Sequence, residues 1–136
     1  MDVSIQAQIL NLLNTLQKEL KVTLMFITHD IGVVRHISDR IGIMYLGSIV
    51  EEAKTDDLFA NPKHPYTQAL FSAVPDISKS NRASRIILKG EVPAFTLDFK
   101  GCPFQTRCPK VQPKCMGETP SKKEIGPEHV VFCHYT

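Results

Sequence analysis

Four cysteines are the side chains of this sequence with the clearest capacity for chemistry. The first 101 residues contain none, and the four follow in one stretch, at Cys102, Cys108, Cys115 and Cys133. In a cytosolic chain such a group indicates metal ligation or catalysis, because thiols stay reduced there. A Cys₄ zinc site is one interpretation, although the spacing lacks the Cys-x2-Cys pairs typical of zinc knuckles and ribbons. Unligated thiols, or two disulfides in an oxidising compartment, remain open.

Two histidines near the cysteines, His129 and His134, are candidate substitute ligands. Cys133 and His134 are adjacent in the sequence, so both cannot easily reach one ion. A cysteine hydrolase is a weaker interpretation, because clustered cysteines suit ligation better than a single nucleophile does.

A histidine in Thr28-His29-Asp30 is the second candidate for chemistry. It follows Val22–Thr28, an apolar run that predicts a strand buried on both faces of a parallel sheet. At the carboxyl end of such a strand an imidazole faces the crevice where α/β folds place ligands. There it can reach a terminal phosphate and help to hold an attacking water. Taken by itself, the tripeptide favours a histidine that merely hydrogen-bonds nearby backbone.

The elements around this histidine predict an α/β fold. Apolar residues recur at helical spacing from Val3 to Leu20, which predicts an amphipathic helix. A short helix over about 31–38 follows the buried strand, then strands over Ile41–Leu46 and Ile49–Glu51 around a Gly47-Ser48 turn. These few strands are too few for a covered parallel sheet, so we expect residues 1–53 to be the edge of a larger domain.

Residues 54–136 have a different character and predict a small, loop-rich extension. Short helices are expected at about 56–60 and from Pro65, a residue favoured at the first helical position, to about Val74. Residues 76–85 are polar and predict a linker, and Ile86–Leu88 is a candidate strand. The proline-rich chain from Gly101 onward offers little apolar surface, so we expect it to need a staple such as a bound metal.

Composition excludes several classes of function. The net charge of +2 is too small to indicate nucleic-acid binding. The longest apolar run has seven residues, far short of the roughly 20 that span a bilayer. No basic start and apolar core of a signal peptide is visible. We therefore expect a cytosolic protein with no membrane span of its own.

The first half of the chain resembles ATP-binding-cassette ATPases. Thr28-His29-Asp30 is similar to the switch-histidine segment of that family, and Asp39–Glu51 is similar to the strands that follow it. Met1–Ile9 resembles the dimer-contact loop and the helix after it. The resemblance implies the edge of a P-loop NTPase domain, with His29 as the catalytic switch histidine and Asp2 contacting a partner subunit across the nucleotide.

The middle of the chain narrows the resemblance. Pro62-Lys63-His64-Pro65-Tyr66-Thr67 is similar to the Pro-x-His-Pro-Tyr-Thr motif that follows the cassette in ATPase subunits of oligopeptide, dipeptide and nickel importers. Locally the motif predicts a helix start with a histidine near the cap. The resemblance implies ATP-driven peptide import, with a second ATPase subunit and transmembrane permease subunits as partners and a location on the inner face of the cell membrane.

ATP and magnesium are expected only for the parent family. The sequence contains no Gly-x-x-x-x-Gly-Lys-Ser/Thr motif to cradle phosphates, no signature loop and no apolar strand with an Asp-Glu pair. We therefore expect that this chain alone neither binds nor hydrolyses ATP.

The cysteine spacing resembles the cluster that ends many peptide-importer ATPase subunits. That resemblance implies a [4Fe-4S] cluster on Cys102, Cys108, Cys115 and Cys133, for which four thiolates are the usual ligand set. Zinc is the rival metal. The alternative to a transporter subunit is a freestanding iron–sulfur or zinc-binding module.

Overall fold

The computed structural model describes residues 3–74, 85–93 and 99–136. The chain divides into two compact units, residues 1–38 (unit 1) and 39–136 (unit 2). This division lies at residue 38, and the boundary predicted from the sequence at residue 53 stays a prediction. Within the described ranges, no helix is both long enough and apolar enough to cross a bilayer.

Unit 1 contains two helices, α1 (Val3–Leu20) and α2 (Ile31–Ile37). Both predicted helices are confirmed, the first of them from its apolar periodicity. Asp30 caps α2: its side chain accepts a hydrogen bond from the Val33 N–H at 3.2 Å, which satisfies one of the free amides at the helix start. This bond is the first cause of the lowered Asp30 pKa.

The predicted strand Val22–Thr28 is wrong for this structure. The segment forms no ladder with any described strand, and its side chains are exposed. A strand is completed by neighbours that take its backbone hydrogen bonds, and the described strands all lie in unit 2. The apolar composition of the segment is therefore not matched by burial.

Unit 2 is built on a four-stranded antiparallel sheet in the order β1-β2-β4-β3. Its strands are β1 (Arg40–Tyr45), β2 (Ser48–Lys54), β3 (Lys123–Gly126) and β4 (His129–Val131). The β1–β2 hairpin agrees with the predicted strands. The expectation of a parallel sheet is corrected: the fold is mixed α and β with an antiparallel sheet. Hairpins join β1 to β2 and β3 to β4, and β2 pairs antiparallel with β4.

A β-bulge in the hairpin decides which side chains of β2 face inward. Ile43 pairs with Glu51 and Met44 pairs with Ile49, so Val50 is the extra residue on β2. A bulge breaks the alternation of a strand, and Val50 and Glu51 are accordingly both buried. Val50 also accepts a hydrogen bond from the Phe132 N–H through its carbonyl. The bulge thus brings a carboxylate into the interior.

Three short helices complete unit 2: α3 (Thr55–Ala60), α4 (Pro65–Ser72) and α5 (Pro113–Gly117). The predicted start of α4 at Pro65 is confirmed, and His64 is its cap: its Nδ1 accepts from the Tyr66 N–H at 3.1 Å. Ile86–Leu88 forms no strand. The predicted stop at Pro75 and most of the predicted linker lie outside the described residues.

An aromatic cluster forms the centre of unit 2. The fully buried ring of Phe104 lies 5.2 Å from Tyr45, 5.4 Å from Tyr66 and 5.7 Å from His64, measured between ring centroids. These separations are typical of favourable aromatic pairs. The loop that carries the first cysteines is therefore anchored by an apolar side chain, so burial contributes to the folding of a segment that we expected to depend on a staple.

Candidate functional site

The four cysteines of unit 2 line one small cavity. Cys102 and Cys115 are buried, Cys108 and Cys133 are half-buried, and all four carry free thiols. The cavity measures about 20 Å³, which is room for about one water. Chain segments that are distant in sequence thus bring the predicted ligands together.

Backbone geometry draws two of these cysteines close. The Cys102 N–H donates to the Cys115 carbonyl at 2.8 Å. The preceding Gly101 has φ of +88°, and a Cβ there would stand 2.3 Å from the same carbonyl oxygen. Only glycine fits this approach without displacing backbone. Gly101 therefore sets the distance between the loop that begins at Cys102 and helix α5, which carries Cys115.

Burial favours the protonated thiol at Cys102 and Cys108. The pKa of Cys102 is raised to about 11, mainly by burial and to a smaller extent by the other three cysteines. Burial also raises the pKa of Cys108. Two backbone hydrogen bonds oppose these shifts and lower the pKa values, from Phe104 to Cys102 and from Lys110 to Cys108. The thiols of Cys102 and Cys108 are thus poor nucleophiles, and each receives a backbone hydrogen bond.

No group of three or more His, Cys, Asp or Glu side chains in the described part of the chain is arranged to hold a single metal ion. The ligands of one zinc ion all lie within about 2.3 Å of it, which demands tighter convergence than a shared cavity wall. Four thiolates are the usual ligand set of an iron–sulfur cluster. The donor set, the common cavity and the backbone donors to sulfur fit an iron–sulfur cluster in chemical character.

The two candidate histidine ligands differ in position. His134 lines the cysteine cavity, and its Nε2 donates to the Glu118 carbonyl at 2.9 Å. His129 lies instead against Glu51, with 2.8 Å between Nε2 and Oε1. A carboxylate only accepts hydrogen bonds, so the His129 ring donates. His129 is thus a structural partner of a buried carboxylate, and it does not line the cavity.

Sequence reasoning missed Glu51, the hub of the polar interior. Its fully buried carboxylate accepts hydrogen bonds from the Lys63 N–H at 2.7 Å and the His64 N–H at 2.9 Å, besides His129. These three bonds join β2, the segment before α4, and β4. The sequence does not distinguish Glu51 from Glu52, because the two glutamates are consecutive. The β-bulge decides which of them is buried.

The predicted nucleotide-site residues lie in unit 1. His29 is exposed and lies between the Val22–Thr28 segment and α2. Its neighbour Asp30 receives a backbone hydrogen bond from Val33 and contacts Gln6 at 3.4 Å, from Nε2 to Oδ2. Asp2 lies outside the described residues. The role of both predicted residues stays a prediction.

Comparisons with known proteins agree with the motifs in the middle of the chain. Residues 50–115 match the family described as the oligopeptide/dipeptide transporter, C-terminal region. Over 98% of its length the chain is 52% identical to the oligopeptide transport ATP-binding protein AppF of Bacillus subtilis, of which it covers 41%. It is 43% identical, over 99% of its length, to the dipeptide transport ATP-binding protein DppF of Haemophilus influenzae, again covering 41%.

A third relative is the putative oligopeptide transport ATP-binding protein YkfD of Bacillus subtilis. The chain is 48% identical to it over 98% of its own length and covers 41% of the relative. The chain thus spans about two-fifths of the length of the curated relatives that it matches. Over nearly all of its residues, the chain therefore matches the C-terminal part of oligopeptide and dipeptide transport ATP-binding proteins.

Proposed function

We propose that this chain is the C-terminal part of an ATPase subunit that energises peptide import across the cell membrane. The observation that carries the proposal is the 52% identity over 98% of the chain to an oligopeptide transport ATP-binding protein. In the assembled transporter, His29 serves the nucleotide site and Asp2 contacts the partner ATPase subunit. Permease subunits provide the membrane path, and the subunit works on the cytoplasmic face.

A chimaera tests this role. The region of Bacillus subtilis AppF that matches this chain is replaced by the chain itself, and oligopeptide uptake is measured in cells that lack the native subunit. We expect uptake to be restored, and we expect His29→Ala to abolish it. His36→Ala, in the last turn of α2, is the matched control and should retain uptake. Equal uptake in both variants would remove His29 from the mechanism.

The chain alone should not bind ATP. A phosphate-cradling loop is missing from its sequence, and such a loop supplies most of the contacts to the nucleotide phosphates. Titration calorimetry of the 136-residue chain with Mg-ATP should show no saturable heat. Saturable binding would contradict this part of the proposal.

We further infer that Cys102, Cys108, Cys115 and Cys133 hold a [4Fe-4S] cluster in unit 2. Their common cavity and the backbone donors from Phe104 and Lys110 support this inference. When bound, the cluster supplies a rigid cross-link among four chain segments. Ligation requires thiolates, so binding releases protons and grows weaker as the pH falls.

Metal analysis separates the alternatives for the cysteines. The chain is purified and reconstituted without oxygen, and its iron, sulfide and zinc contents are measured beside those of a Cys102→Ser, Cys115→Ser variant. About four irons and four sulfides per chain, lost in the variant, are expected for the cluster. One zinc per chain would replace the cluster with a structural zinc site. Absence of metal in both proteins would refute the metal site.

A further inference from the structure

The His64 ring forms part of the wall of the cysteine cavity without belonging to the predicted ligand set. The residue is only 1% exposed, and its ring lies against the Phe104 ring. A histidine enclosed beside four thiols is well placed to interact with whatever those thiols bind.

The backbone holds this ring in one position. The His64 N–H donates to Glu51 Oε2 at 2.9 Å, and the adjacent Lys63 N–H donates to Oε1 at 2.7 Å. Pro65 follows at once and begins α4, with the fixed φ of proline limiting the backbone further. The ring therefore has little freedom to rotate away from the cavity by backbone motion.

One hydrogen bond also fixes the tautomer. Nδ1 accepts from the Tyr66 N–H at 3.1 Å, so Nδ1 has no proton and the neutral ring carries its proton on Nε2. No second hydrogen bond of the ring is found among the described residues. This tautomer leaves no free lone pair for a metal. The lone pair of Nδ1 accepts the hydrogen bond from the Tyr66 N–H, and Nε2 carries the proton. The ring can donate a hydrogen bond, and it cannot ligate.

We propose that His64 is a positioning residue of the cysteine site, which donates an Nε2–H hydrogen bond to the sulfur atoms of the bound metal group and is not itself a ligand. The inference rests on the proposed metal site. His64 adds a side-chain donor to the backbone donors from Phe104 and Lys110. Hydrogen bonds to the sulfurs are among the factors that set the reduction potential of an iron–sulfur cluster.

The charge of the reduced cluster predicts how the His64 hydrogen bond changes the reduction potential. Reduction adds negative charge to the cluster and its sulfurs, and a donor pointed at sulfur stabilises that charge. His64 therefore raises the reduction potential and slows the loss of metal, because groups around the ligands hold them in place.

The test uses His64→Asn in the full 136-residue chain, reconstituted with iron and sulfide without oxygen. Asparagine is a favoured helix cap, so its side-chain oxygen can take over the hydrogen bond from Tyr66, while its amide is too short to replace Nε2. We expect unchanged iron content, with the reduction equilibrium shifted about tenfold against reduction, which is about 59 mV more negative for one electron. Loss of metal to a chelator should become about tenfold faster.

Two further variants keep the test decisive. His64→Gln places an amide N–H near the position of Nε2 and should restore most of the potential. His129→Asn removes another buried histidine, which bonds Glu51 and does not line the cavity, and should leave the potential unchanged.

The outcomes separate this inference from the metal site itself. A wild-type chain that binds no metal overturns the metal site. A metal-loaded chain whose potential and metal release are unchanged in His64→Asn overturns the role of His64 alone. A folded His64→Asn protein that has lost its metal would make His64 a ligand, which also overturns the proposal.

Discussion

Apolar side chains are exposed in unit 1 and buried in the core of unit 2. In unit 1, Leu12 of α1 is 58% exposed and Phe26 is 43% exposed, whereas in unit 2 Leu58 and Phe104 are fully buried. The residue types are alike, so composition does not explain the difference. Unit 2 supplies its own cover, because two hairpins and the short helices close over one another. The apolar residues of unit 1 gain little from folding until another surface covers them.

The three tyrosines allow this comparison to be measured. Tyr45, Tyr66 and Tyr135 all belong to unit 2, and the sequence contains no tryptophan. Intrinsic tyrosine fluorescence during urea unfolding therefore reports the stability of unit 2 with no direct contribution from unit 1.

The largest expected effect comes from truncating the central aromatic ring. Phe104→Ala should lower the free energy of unfolding of unit 2 by about 3–5 kcal/mol, because the lost burial leaves a cavity among Tyr45, Tyr66 and His64. Phe26→Ala, the matched truncation in unit 1, should change it by less than about 0.5 kcal/mol. Similar losses in the two variants would contradict the contrast between the units.

A smaller effect is expected from the buried carboxylate. Glu51→Gln keeps the shape of the side chain but turns an amide donor toward one of the three groups that now donate to Glu51. Leaving a buried donor unpaired should cost unit 2 about 1–3 kcal/mol in urea unfolding.

The adjacent residue provides the control. Glu52 pairs with Arg40 at 2.7 Å on the surface, and its side chain is 44% exposed. Glu52→Gln should change stability little, because exposed ion pairs are screened by water and ordering the long side chains costs entropy. A larger loss for Glu52→Gln than for Glu51→Gln would show that the bulge does not direct Glu51 inward.

The smallest expected effect is a pH dependence that comes from His64. Burial lowers its folded pKa from 6.5 to about 4, so the unfolded chain binds a proton more readily. The stability contributed by the neutral ring is complete above pH 6.5 and is lost as the pH falls from 6.5 toward 4. The expected loss between pH 7 and pH 5 is about 1–2 kcal/mol.

Carboxylates titrate in the same range, so the measurement is a difference. Unfolding free energies of the metal-free wild type and of His64→Asn are compared at pH 7, 6 and 5. The advantage of the wild type should shrink as the pH falls. Parallel pH profiles for the two proteins would show that His64 does not titrate as its burial requires.

Local patterns in the sequence were sufficient for several elements. The spacing of Ile9, Leu12 and Leu16 predicted α1, and the proline after His64 predicted both the start of α4 and its cap. The hairpin of β1 and β2 followed from two β-rich runs around Gly47. These features depend on residues close together in the chain, and periodicity and turn chemistry report on such distances.

Features that depend on distant partners were not predictable. Val22–Thr28 has strand composition but no described neighbour, while the short β4 forms a strand because β2 lies beside it. The burial of Glu51 depends on a bulge that no residue type announces. The cysteines were identified as one group from spacing, yet the contribution of His64 to their cavity required the fold.

The pairing of β2 with β4 has a consequence for the route of folding. The hairpin β1–β2 joins near neighbours, as does β3–β4, but the register between Glu51 and Val131 spans 80 positions along the chain. Closing so long a loop is slower than forming a hairpin, so we expect the hairpins to form before they dock. Until then β2 is an open edge, where a charged side chain discourages pairing with other molecules. In the isolated hairpin, we expect the Glu51 carboxylate to supply this charge. After docking, the same carboxylate is buried and accepts a hydrogen bond from His129.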